Sequence, residues 1–271
     1  MKSLYNFHTH TQYVHGDNTA EEMVLAAIGK GFVALGFSEH GYLDCDDRCR
    51  MTIANTALYC QEIRALKEKY AEQIELYLGL ENDSLGQVDV SGFEYSIGSV
   101  HNLFVPHGVV CVDSSASEIC DVVARWFGGD PMLLVRAYYL EYMRMAASMR
   151  PDILGHFDVI TKNNGEGNFF DEASPRYRAL ALEALDAALD TGAILEVNTG
   201  GMYRKKRDVP YPAPFLLEHA KARNANIMLC SDAHSVDWLD YGFQEVSAML
   251  KEIGFREQMV LSKQGFVPVA L

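Results

Sequence analysis

Short apolar runs alternate with longer amphipathic runs along this chain of 271 residues, and this alternation constrains the fold more than any other feature. Seven short runs have the length and composition of buried strands: residues 4–8, 32–37, 76–80, 95–100, 153–157, 194–198 and 227–231. Apolar strands separated by helices are typical of a parallel sheet with helical crossovers. The alternation therefore predicts an α/β fold.

Local start signals support the helices between these strands. Thr19 and Glu22 form a capping box ahead of an apolar run, and Ser174 followed by Pro175 combines an N-cap with a proline in the first turn. The second of these helices is expected to continue to about Asp190. The sequence predicts further helices over residues 54–72, 117–127, 131–149, 213–224 and 237–253.

Seven parallel strands fit either an open doubly wound sheet or a barrel one unit short of the (β/α)8 form, and periodicity does not choose between them. The apolar fraction of 49% is enough for one large core, and no linker interrupts the alternation. The positions of the polar residues favour the barrel. We therefore expect a single distorted (β/α)7 barrel domain over residues 1–271.

Histidines are concentrated at the predicted strand ends. Of the nine histidines, seven lie at or just past the carboxyl end of a strand, or in the loop that follows it: His8, His10, His15, His40, His101, His156 and His234. Glu81 and Asp232 follow strands in the same way. Carboxyl strand ends meet on one face of an α/β fold, so these side chains are expected to converge. His107 and His219 are expected to be ordinary surface or hydrogen-bonded residues.

A convergence of imidazoles and carboxylates indicates a metal site. Neutral imidazole with carboxylate suits Zn, Mn or Fe, whereas an all-oxygen site would indicate Mg or Ca. His8 and His10 have the spacing that puts two side chains on one face of a strand, and a carboxylate such as Glu81 can bridge two ions. The sequence therefore predicts divalent metal ions bound by the seven histidines together with Glu81 and Asp232.

The formal net charge of −14 restricts the partners of such a site. An acidic surface repels nucleic acid and anionic lipid, but bound metals can reverse the local field for a small phosphorylated substrate. No apolar run approaches the roughly 20 residues of a membrane span, and the polar start makes a targeting segment unexpected. The six cysteines, at positions 45, 49, 60, 111, 120 and 230, indicate reduced thiols. We expect a cytoplasmic protein that binds neither membranes nor nucleic acid.

Six short motifs resemble the metal signature of the PHP (polymerase and histidinol phosphatase) superfamily in order and spacing. They are HTH at 8–10, SEH at 38–40, GLE at 79–81, GSVH at 98–101, GHFD at 155–158 and SDAH at 231–234. The resemblance implies a distorted seven-stranded barrel with two or three divalent ions (Zn, Mn or Fe). It implies a first metal bound by His8, His10, Glu81 and Asp232, a second by Glu81, His101 and His156, and a third by His15, His40 and His234.

Two longer stretches are similar to the histidinol-phosphate phosphatases of histidine biosynthesis, namely residues 152–162 and residues 196–204 with YP following at 211–212. The loop 10–16 is one residue shorter than in many members and lacks their proline and cysteine, and END at 81–83 replaces the commoner acidic-aromatic continuation. Both differences leave the metal ligands in place. The resemblance implies a phosphoric monoester hydrolase that converts L-histidinol phosphate and water to L-histidinol and phosphate.

The hypothesis for catalysis is an in-line attack on phosphorus by a hydroxide that bridges the first two metals. Glu81, Asp232 and His234 are the ligands expected to act in catalysis. Protonation of the leaving alcohol is assigned either to a metal-bound water or to an acid such as Asp158.

Cations at the strand ends are expected to bind the phosphate. Arg204 follows the sixth predicted strand and Lys162 follows the fifth. Guanidinium binds phosphate in a bidentate manner, which makes Arg204 the first choice. Lys205, Lys206 and Arg207 complete the densest basic cluster of the chain and are expected to form a solvated loop.

Several acidic residues have less defined expectations. Histidinol phosphate carries an imidazole and an ammonium group, so carboxylates are expected near the mouth of the site. The available candidates are Asp44, Asp46, Asp47 and Asp83. Asp17 either orients His15 or is a turn residue after Gly16.

Three other functions remain open at this point. A PHP nuclease or nucleotide phosphoesterase is disfavoured by the net charge and by the lack of an extended basic stripe. An inactive metal-binding regulatory module is disfavoured by the complete set of nine ligands. A metal-dependent amidohydrolase would need a bridging lysine at a mid-chain strand end, for which Lys162 is the available candidate.

Overall fold

The computed structural model describes residues 4–45, 50–86 and 88–271, without the side chains of residues 166 and 167. The strands, in chain order, are β1 Leu4–Asn6, β2 Phe32–Phe37, β3 Glu75–Asp83, β4 Tyr95–Ser99, β5 Asn102–Val105, β6 Gly108–Cys111, β7 Ile153–Leu154, β8 Ile194–Asn198, β9 Ile227–Cys230, β10 Glu257–Ser262 and β11 Gly265–Ala270. Within the described residues, seven of them form one parallel sheet in the order β1-β2-β3-β4-β7-β8-β9.

Helices connect most neighbouring strands of this sheet. They are α1 Ala20–Lys30, α2 Ile53–Lys69, α3 Ala116–Trp126, α4 Pro131–Met149, α5 Asn164–Gly167, α6 Pro175–Leu189, α7 Gly200–Tyr203, α8 Pro214–Ala222 and α9 Phe243–Ile253. The capping box of Thr19 and Glu22 starts α1, and Ser174 caps α6 as its sequence predicts. The bounds of α4 match the predicted range 131–149.

The sheet curves into a nearly closed barrel, and its seam lies between β1 and β9. Just beyond these strands, the backbone N–H of His10 donates to Ala233 O at 2.9 Å, and that of Ala233 donates to His8 O at 3.3 Å. Below these bonds the side-chain amide of Asn6 donates to Ser231 Oγ at 2.6 Å. The predicted distorted (β/α)7 barrel is therefore confirmed, with a seam held by a few hydrogen bonds.

The antiparallel hairpin β10–β11 covers the amino end of the barrel. Val260 and Leu261 of this hairpin are buried with Phe7 and Tyr77 in the interior of the barrel. The groove beside the hairpin is lined by residues that start β3, which places the hairpin at the amino ends of the strands. The carboxyl ends remain available for a site.

Several predicted boundaries were wrong. β1 ends two residues and β7 three residues before the predicted ends, because the chain there turns towards the carboxyl face. The helix predicted over 237–253 starts only at Phe243, because Gly242 adopts a left-handed conformation with φ 72° and separates it from the 3₁₀ turn Val236–Trp238. A 3₁₀ turn, Val90–Gly92, occupies the connection between β3 and β4, for which the sequence predicts no helix.

Tyr95 of β4 reaches across the inside of the barrel to the carboxyl ends of β1 and β2. Its hydroxyl donates to Phe7 O at 2.7 Å and to Phe37 O at 3.0 Å. The ring fills the space over Gly36 and Gly79, where an added Cβ would lie 2.4 Å and 2.2 Å from atoms of Tyr95. These glycines therefore leave room for the tyrosine ring.

We expect Tyr95→Phe to lower the free energy of unfolding by about 1–3 kcal/mol, because the buried hydrogen bond that the hydroxyl proton shares between two carbonyls is lost. Urea unfolding followed by circular dichroism measures this loss. Tyr241→Phe is the matched control, since Tyr241 is 43% exposed. Equal stabilities of the two variants would contradict the structural role of the Tyr95 hydroxyl.

Among the described residues, no helix is both long enough and apolar enough to cross a membrane. Cys60, Cys120 and Cys230 are free thiols, as the sequence predicts, and Cys49 lies outside the described residues.

Candidate metal centre

The barrel brings all nine predicted ligands together at the carboxyl ends of its strands. His8 and His10 follow β1, His40 follows β2, Glu81 lies near the carboxyl end of β3 and His101 follows β4. The remaining ligands are His15 in the loop before α1, His156 after β7, and Asp232 and His234 after β9. Contacts between their side chains divide them into three groups.

The first group surrounds the seam of the barrel. His10 Nε2 lies 3.2 Å from Asp232 Oδ1 and 3.5 Å from Glu81 Oε2, and His8 Nε2 lies 3.6 Å and 3.4 Å from the same two atoms. Ligands bound to Zn at about 2.0–2.1 Å in a tetrahedron lie about 3.3 Å from one another. The spacing of this group therefore fits one metal ion.

Asp232 reaches this position through an unusual backbone conformation. Its φ of 52° lies in the left-handed region, which aspartate tolerates better than most residues. The turn aims the carboxylate back across the seam towards His8 and His10.

The second group shares Glu81 with the first. Glu81 Oε1 lies 2.9 Å from His156 Nε2 and 3.5 Å from His101 Nε2, and the two imidazole nitrogens lie 3.2 Å apart. The other oxygen, Oε2, faces His8 and His10. Glu81 therefore has the geometry of a carboxylate that bridges two cations.

The third group lies at the rim. His15 Nε2 lies 3.1 Å from His234 Nε2, and the ring of His15 stacks on that of His40 with 5.0 Å between centroids. His40 also approaches the shared carboxylate, with Nδ1 2.9 Å from Glu81 Oε2. His10, His40 and His234 each offer a ligand atom within 4.8 Å of the others. His40 thus lies between the third group and Glu81.

Unpaired atoms in this centre fit bound cations. Within the described residues, the buried atoms His8 Nε2, His10 Nε2 and Glu81 Oε2 have no hydrogen-bond partner, although each lies close to another lone pair. Lone pairs that converge without an intervening proton repel one another, and a buried unsatisfied acceptor costs about 1–3 kcal/mol. A divalent cation would satisfy all three atoms at once.

Metal binding requires ionised carboxylates and neutral imidazoles. Burial lowers the pKa of His8, His10 and His101, but nearby carboxylates outweigh it and raise all three, that of His101 to about 9, so a cation would displace protons from these imidazoles. Burial opposes ionisation of Glu81, but the imidazoles of His40, His8 and His101 outweigh it and hold the pKa of this carboxyl well below its usual range. Desolvation at the crowded rim, together with the His40 and His10 imidazoles, lowers the pKa of His15 to about 3. Both residues are therefore available as ligands at neutral pH.

Buried or half-buried carboxylates lie behind three of the histidines. Glu196 Oε1 lies 2.6 Å from His8 Nδ1, Asp83 Oδ2 lies 3.4 Å from His101 Nδ1, and Glu39 Oε2 lies 3.6 Å from His10 Nδ1. The contacts of Glu196 and Asp83 keep the proton on Nδ1 and leave the Nε2 lone pair facing the metal site. Glu39 Oε2 lies beyond hydrogen-bond distance of His10 Nδ1 and contributes only its charge. Sequence reasoning assigned none of them this role, although a charged residue inside the buried strand β8 was a usable signal for Glu196.

Glu196→Gln is expected to weaken metal binding about 10- to 100-fold, the usual effect of removing a carboxylate behind a ligating histidine. Glu196 holds two ligands, because its second oxygen accepts the backbone N–H of His156 at 2.6 Å. Competition with a chromogenic chelator for Zn measures the affinity. Glu245→Gln, at an exposed position of α9, is the matched control, and equal affinities would contradict the assignment.

Helix α4 fixes the loop that carries His156. The hydroxyl of Tyr142 donates to Gly155 O at 2.7 Å, and that of Tyr138 donates to Phe157 O at 2.9 Å. Both tyrosines are fully buried, so the backbone on either side of His156 is held by the core. The short strand β7 therefore does not leave His156 loosely placed.

A small pocket opens over the metal ligands, and both predicted phosphate-binding cations line it. Arg204 Nη1 donates to Asp232 Oδ2 at 3.2 Å, and its Nη2 lies 2.8 Å from His234 Nδ1. Lys162 forms an ion pair with Asp113, which also lines the pocket. Sequence reasoning found the two cations and missed Asp113, because it follows a hairpin, β5–β6, that was not predicted.

Arg207 does not belong to a solvated loop, contrary to the expectation. Its side chain is 8% exposed, contacts Glu172 Oε2 at 3.3 Å and donates to Thr161 Oγ1. It is buried because acidic and hydroxyl partners surround its guanidinium. Lys205, by contrast, is exposed as predicted.

Asp158 lies behind the pocket wall and not in it. It is fully buried, its Oδ2 accepts the backbone N–H of Ala213 at 3.0 Å, and burial raises the pKa of its carboxyl to about 6. It is absent from the described residues that line the pocket, so the structure does not favour it as the acid for the leaving group.

The other acidic candidates are only partly described. Asp44 accepts a hydrogen bond from Tyr42, and Asp83 is engaged with His101. Asp46 and Asp47 lie outside the described residues. Asp17 contacts the site through its backbone N–H, which donates to His234 O at 2.7 Å. That contact fits a turn residue better than a partner of His15.

Comparison with known proteins agrees with this geometry. The family model for the PHP domain matches residues 6–200. A protein of Deinococcus radiodurans named "Probable histidinol-phosphatase" is 30% identical over 270 residues, covering 94% of this chain and 96% of its own. The histidinol-phosphatase of Bacillus subtilis is 26% identical over 260 residues, covering 88% of this chain and 96% of its own.

A solved structure has the same fold. The histidinol phosphate phosphatase of Lactococcus lactis, crystallised with Zn, L-histidinol and phosphate, superposes with a TM-score of 0.72 at 20% identity, covering 97% of this chain and 98% of its own. The family match, the full-length relatives and the shared barrel lead to one conclusion. This chain belongs to the PHP domain family.

Proposed function

We propose that this chain is a metal-dependent histidinol-phosphatase that hydrolyses L-histidinol phosphate to L-histidinol and phosphate. Relatives that carry this name match almost the full length of the chain. The Lactococcus lactis structure contains the two products together with Zn. Two or three divalent ions, Zn, Mn or Fe, are proposed for the three groups of ligands.

One observation carries this proposal: the metal ligands and two cationic side chains face the same pocket. Arg204 and Lys162 line it together with Glu81, His101 and the other ligands of its floor. A phosphate monoester needs cations for its non-bridging oxygens and a source of nucleophilic water beside them. The pocket places candidates for both needs within one small volume.

In the proposed reaction, Arg204 and Lys162 hold the phosphoryl oxygens through charge-assisted hydrogen bonds. Divalent cations, when bound, would lower the pKa of water and neutralise charge on the phosphoryl group. Glu81 joins the first and second groups of ligands, and Asp232 connects the first group to Arg204. These contacts fix the position of the proposed phosphate-binding arginine relative to the metal ligands.

Aromatic residues keep Arg204 in place. Its guanidinium carbon lies 4.8 Å from the ring centroid of Tyr203, which stacks on Trp238 with 4.1 Å between centroids. The Tyr203 hydroxyl donates to Asp232 O at 2.9 Å. A guanidinium held on three sides loses little conformational freedom when phosphate binds.

The test is phosphate release by the Zn- or Mn-loaded protein from L-histidinol phosphate, compared with sugar phosphates, nucleotides and short oligonucleotides. We expect a kcat/KM of about 10⁴ M⁻¹s⁻¹ or more for histidinol phosphate, well above the other compounds. A preference for nucleotides or oligonucleotides would retain the phosphoesterase and reject this substrate. No turnover of any compound by the loaded protein would favour an inactive metal-binding module.

A further inference from the structure

The proposed substrate carries a cation that the pocket must accommodate. L-Histidinol phosphate has an ammonium group on the second carbon from the ester oxygen, so this charge lies close to the phosphate. A pocket built only of metal ligands and cations would repel it. Recognition therefore requires a carboxylate that is near the phosphate-binding cations and is not itself a metal ligand.

Asp113 meets this requirement among the described residues that line the pocket. The other carboxylates there, Glu81 and Asp232, belong to the metal centre. Asp83 is turned towards His101 and supports the metal centre, and Asp44 is engaged with Tyr42. Asp113 is therefore the candidate for binding the ammonium group, although the sequence did not suggest it.

The surroundings of Asp113 keep it ionised and close to the phosphate site. Burial raises the pKa of its carboxyl, but Lys162, His101 and Arg204 outweigh this effect and lower it below the ordinary value. Its Oδ1 pairs with Lys162, the side chain is 30% exposed, and the residue lines the pocket. A carboxylate beside a phosphate-binding lysine is well placed for an ammonium two carbons from the ester oxygen.

The hairpin β5–β6 delivers Asp113 to this position. Its strands run from Asn102 to Cys111, and Asp113 follows directly. The backbone N–H of Val112 donates to His101 O at 2.8 Å, which ties the residue before Asp113 to a metal ligand. The hairpin lies outside the seven-stranded sheet, so Asp113 is positioned by an addition to the barrel.

We propose that Asp113 is a specificity-determining residue whose carboxylate accepts the ammonium group of the substrate, an inference that rests on the proposed function. When Arg204 and Lys162 bind the phosphate, the ammonium group of the substrate lies next to Asp113. The carboxylate then accepts a hydrogen bond from the ammonium group in place of part of its contact with Lys162. The residue selects aminated phosphate esters and takes no part in breaking the P–O bond.

The experiment compares two substrates, L-histidinol phosphate and 3-(imidazol-4-yl)propyl phosphate, which lacks only the amino group. Asp113→Asn is expected to lower kcat/KM for the aminated compound about 10- to 100-fold, since a charge-assisted hydrogen bond is lost. The rate with the amine-free compound stays close to that of the wild type. Lys162→Gln, in contrast, lowers both rates in parallel, because phosphate is common to both compounds.

Asp121→Asn is the matched control, an exposed aspartate on α3 that is expected to leave both rates unchanged. Metal content and melting temperature are measured for every variant, and Asp113→Ser serves as a second substitution if Asp113→Asn folds poorly. Equal losses with both substrates would mean that Asp113 only positions Lys162, and unchanged rates would exclude any role; either result overturns the inference.

The wild-type protein separates this inference from the proposed function. Hydrolysis of both compounds without preference for the aminated one overturns the role of Asp113 and leaves the phosphatase intact. Hydrolysis of neither compound by the metal-loaded protein overturns the proposed function and the inference together.

Discussion

Glu81→Ala is expected to lower kcat/KM by about 10³-fold or more and to reduce the number of bound metal ions. Glu81 contacts all three groups of ligands, with His40 and His156 at 2.9 Å and His8 at 3.4 Å. Alanine leaves these imidazoles without the negative charge that they share. Metal analysis by mass spectrometry and phosphate release from L-histidinol phosphate measure the two effects.

Two further variants show whether the loss in Glu81→Ala comes from removal of a metal ligand or from unfolding of the protein. His101→Ala removes a ligand of the second group alone and is expected to release fewer metal ions than Glu81→Ala. Glu183→Ala changes an exposed residue of α6 and is the matched control. Normal metal content and a normal rate in both Glu81→Ala and His101→Ala would refute the ligand assignment.

Arg204→Ala is expected to lower kcat/KM about 10²- to 10³-fold, comparable to removing a preorganised donor from an active site. The side chain is held against Asp232, His234 and the Tyr203 ring, so its guanidinium is fixed before phosphate arrives. Inhibition by inorganic phosphate should weaken in the same variant, because the product uses the same contact. Steady-state kinetics with added phosphate measures both changes.

Arg204→Lys separates charge from geometry. Lysine restores a positive charge but not the planar fork, so it should recover only part of the lost rate. Lys205→Ala is the control for the basic cluster, because Lys205 is next to Arg204 in the chain and its side chain is exposed. A larger loss in Lys205→Ala than in Arg204→Ala would contradict the assignment of the phosphate site.

The convergence of the nine candidate ligands could be predicted from the sequence because each lies at, or in the loop after, the carboxyl end of a strand that the sequence defines. His8, His101 and His234 lie far apart in the chain, but parallel strands bring their carboxyl ends to one face. Strand assignment was therefore enough to place them, even where strand ends were wrong by a few residues. The barrel itself followed from the same argument.

Residues held by irregular segments were not predictable in this way. Asp113 depends on the hairpin β5–β6, whose short strands carry no strong alternation, and Arg207 depends on partners in a distant loop. Local charge indicated a solvated position for Arg207, whereas its burial results from long-range pairing with Glu172. A sequence pattern reports the local period and not such partners.

The single-domain organisation over residues 1–271 stays a proposal, and the hairpin β10–β11 supports it. Val260 and Leu261 are buried with Phe7 of the first strand region, so the last strands complete the core that the first residues begin. The two ends of the chain are thus mutually dependent for burial of their apolar side chains.

Because the metal centre lies across the seam of the barrel, a bound cation would also hold the two sides of the seam together. Ligands from opposite sides of the seam meet there, and His15 and His234, whose ring nitrogens lie 3.1 Å apart, are separated by 219 residues. A cation held by both sides would act as a reversible cross-link that closes a very long loop. Because the site exists only in the folded chain, the free energy of metal binding adds to the stability of the closed seam. Chelation should therefore first increase hydrogen exchange along β1 and β9, before the other strands open.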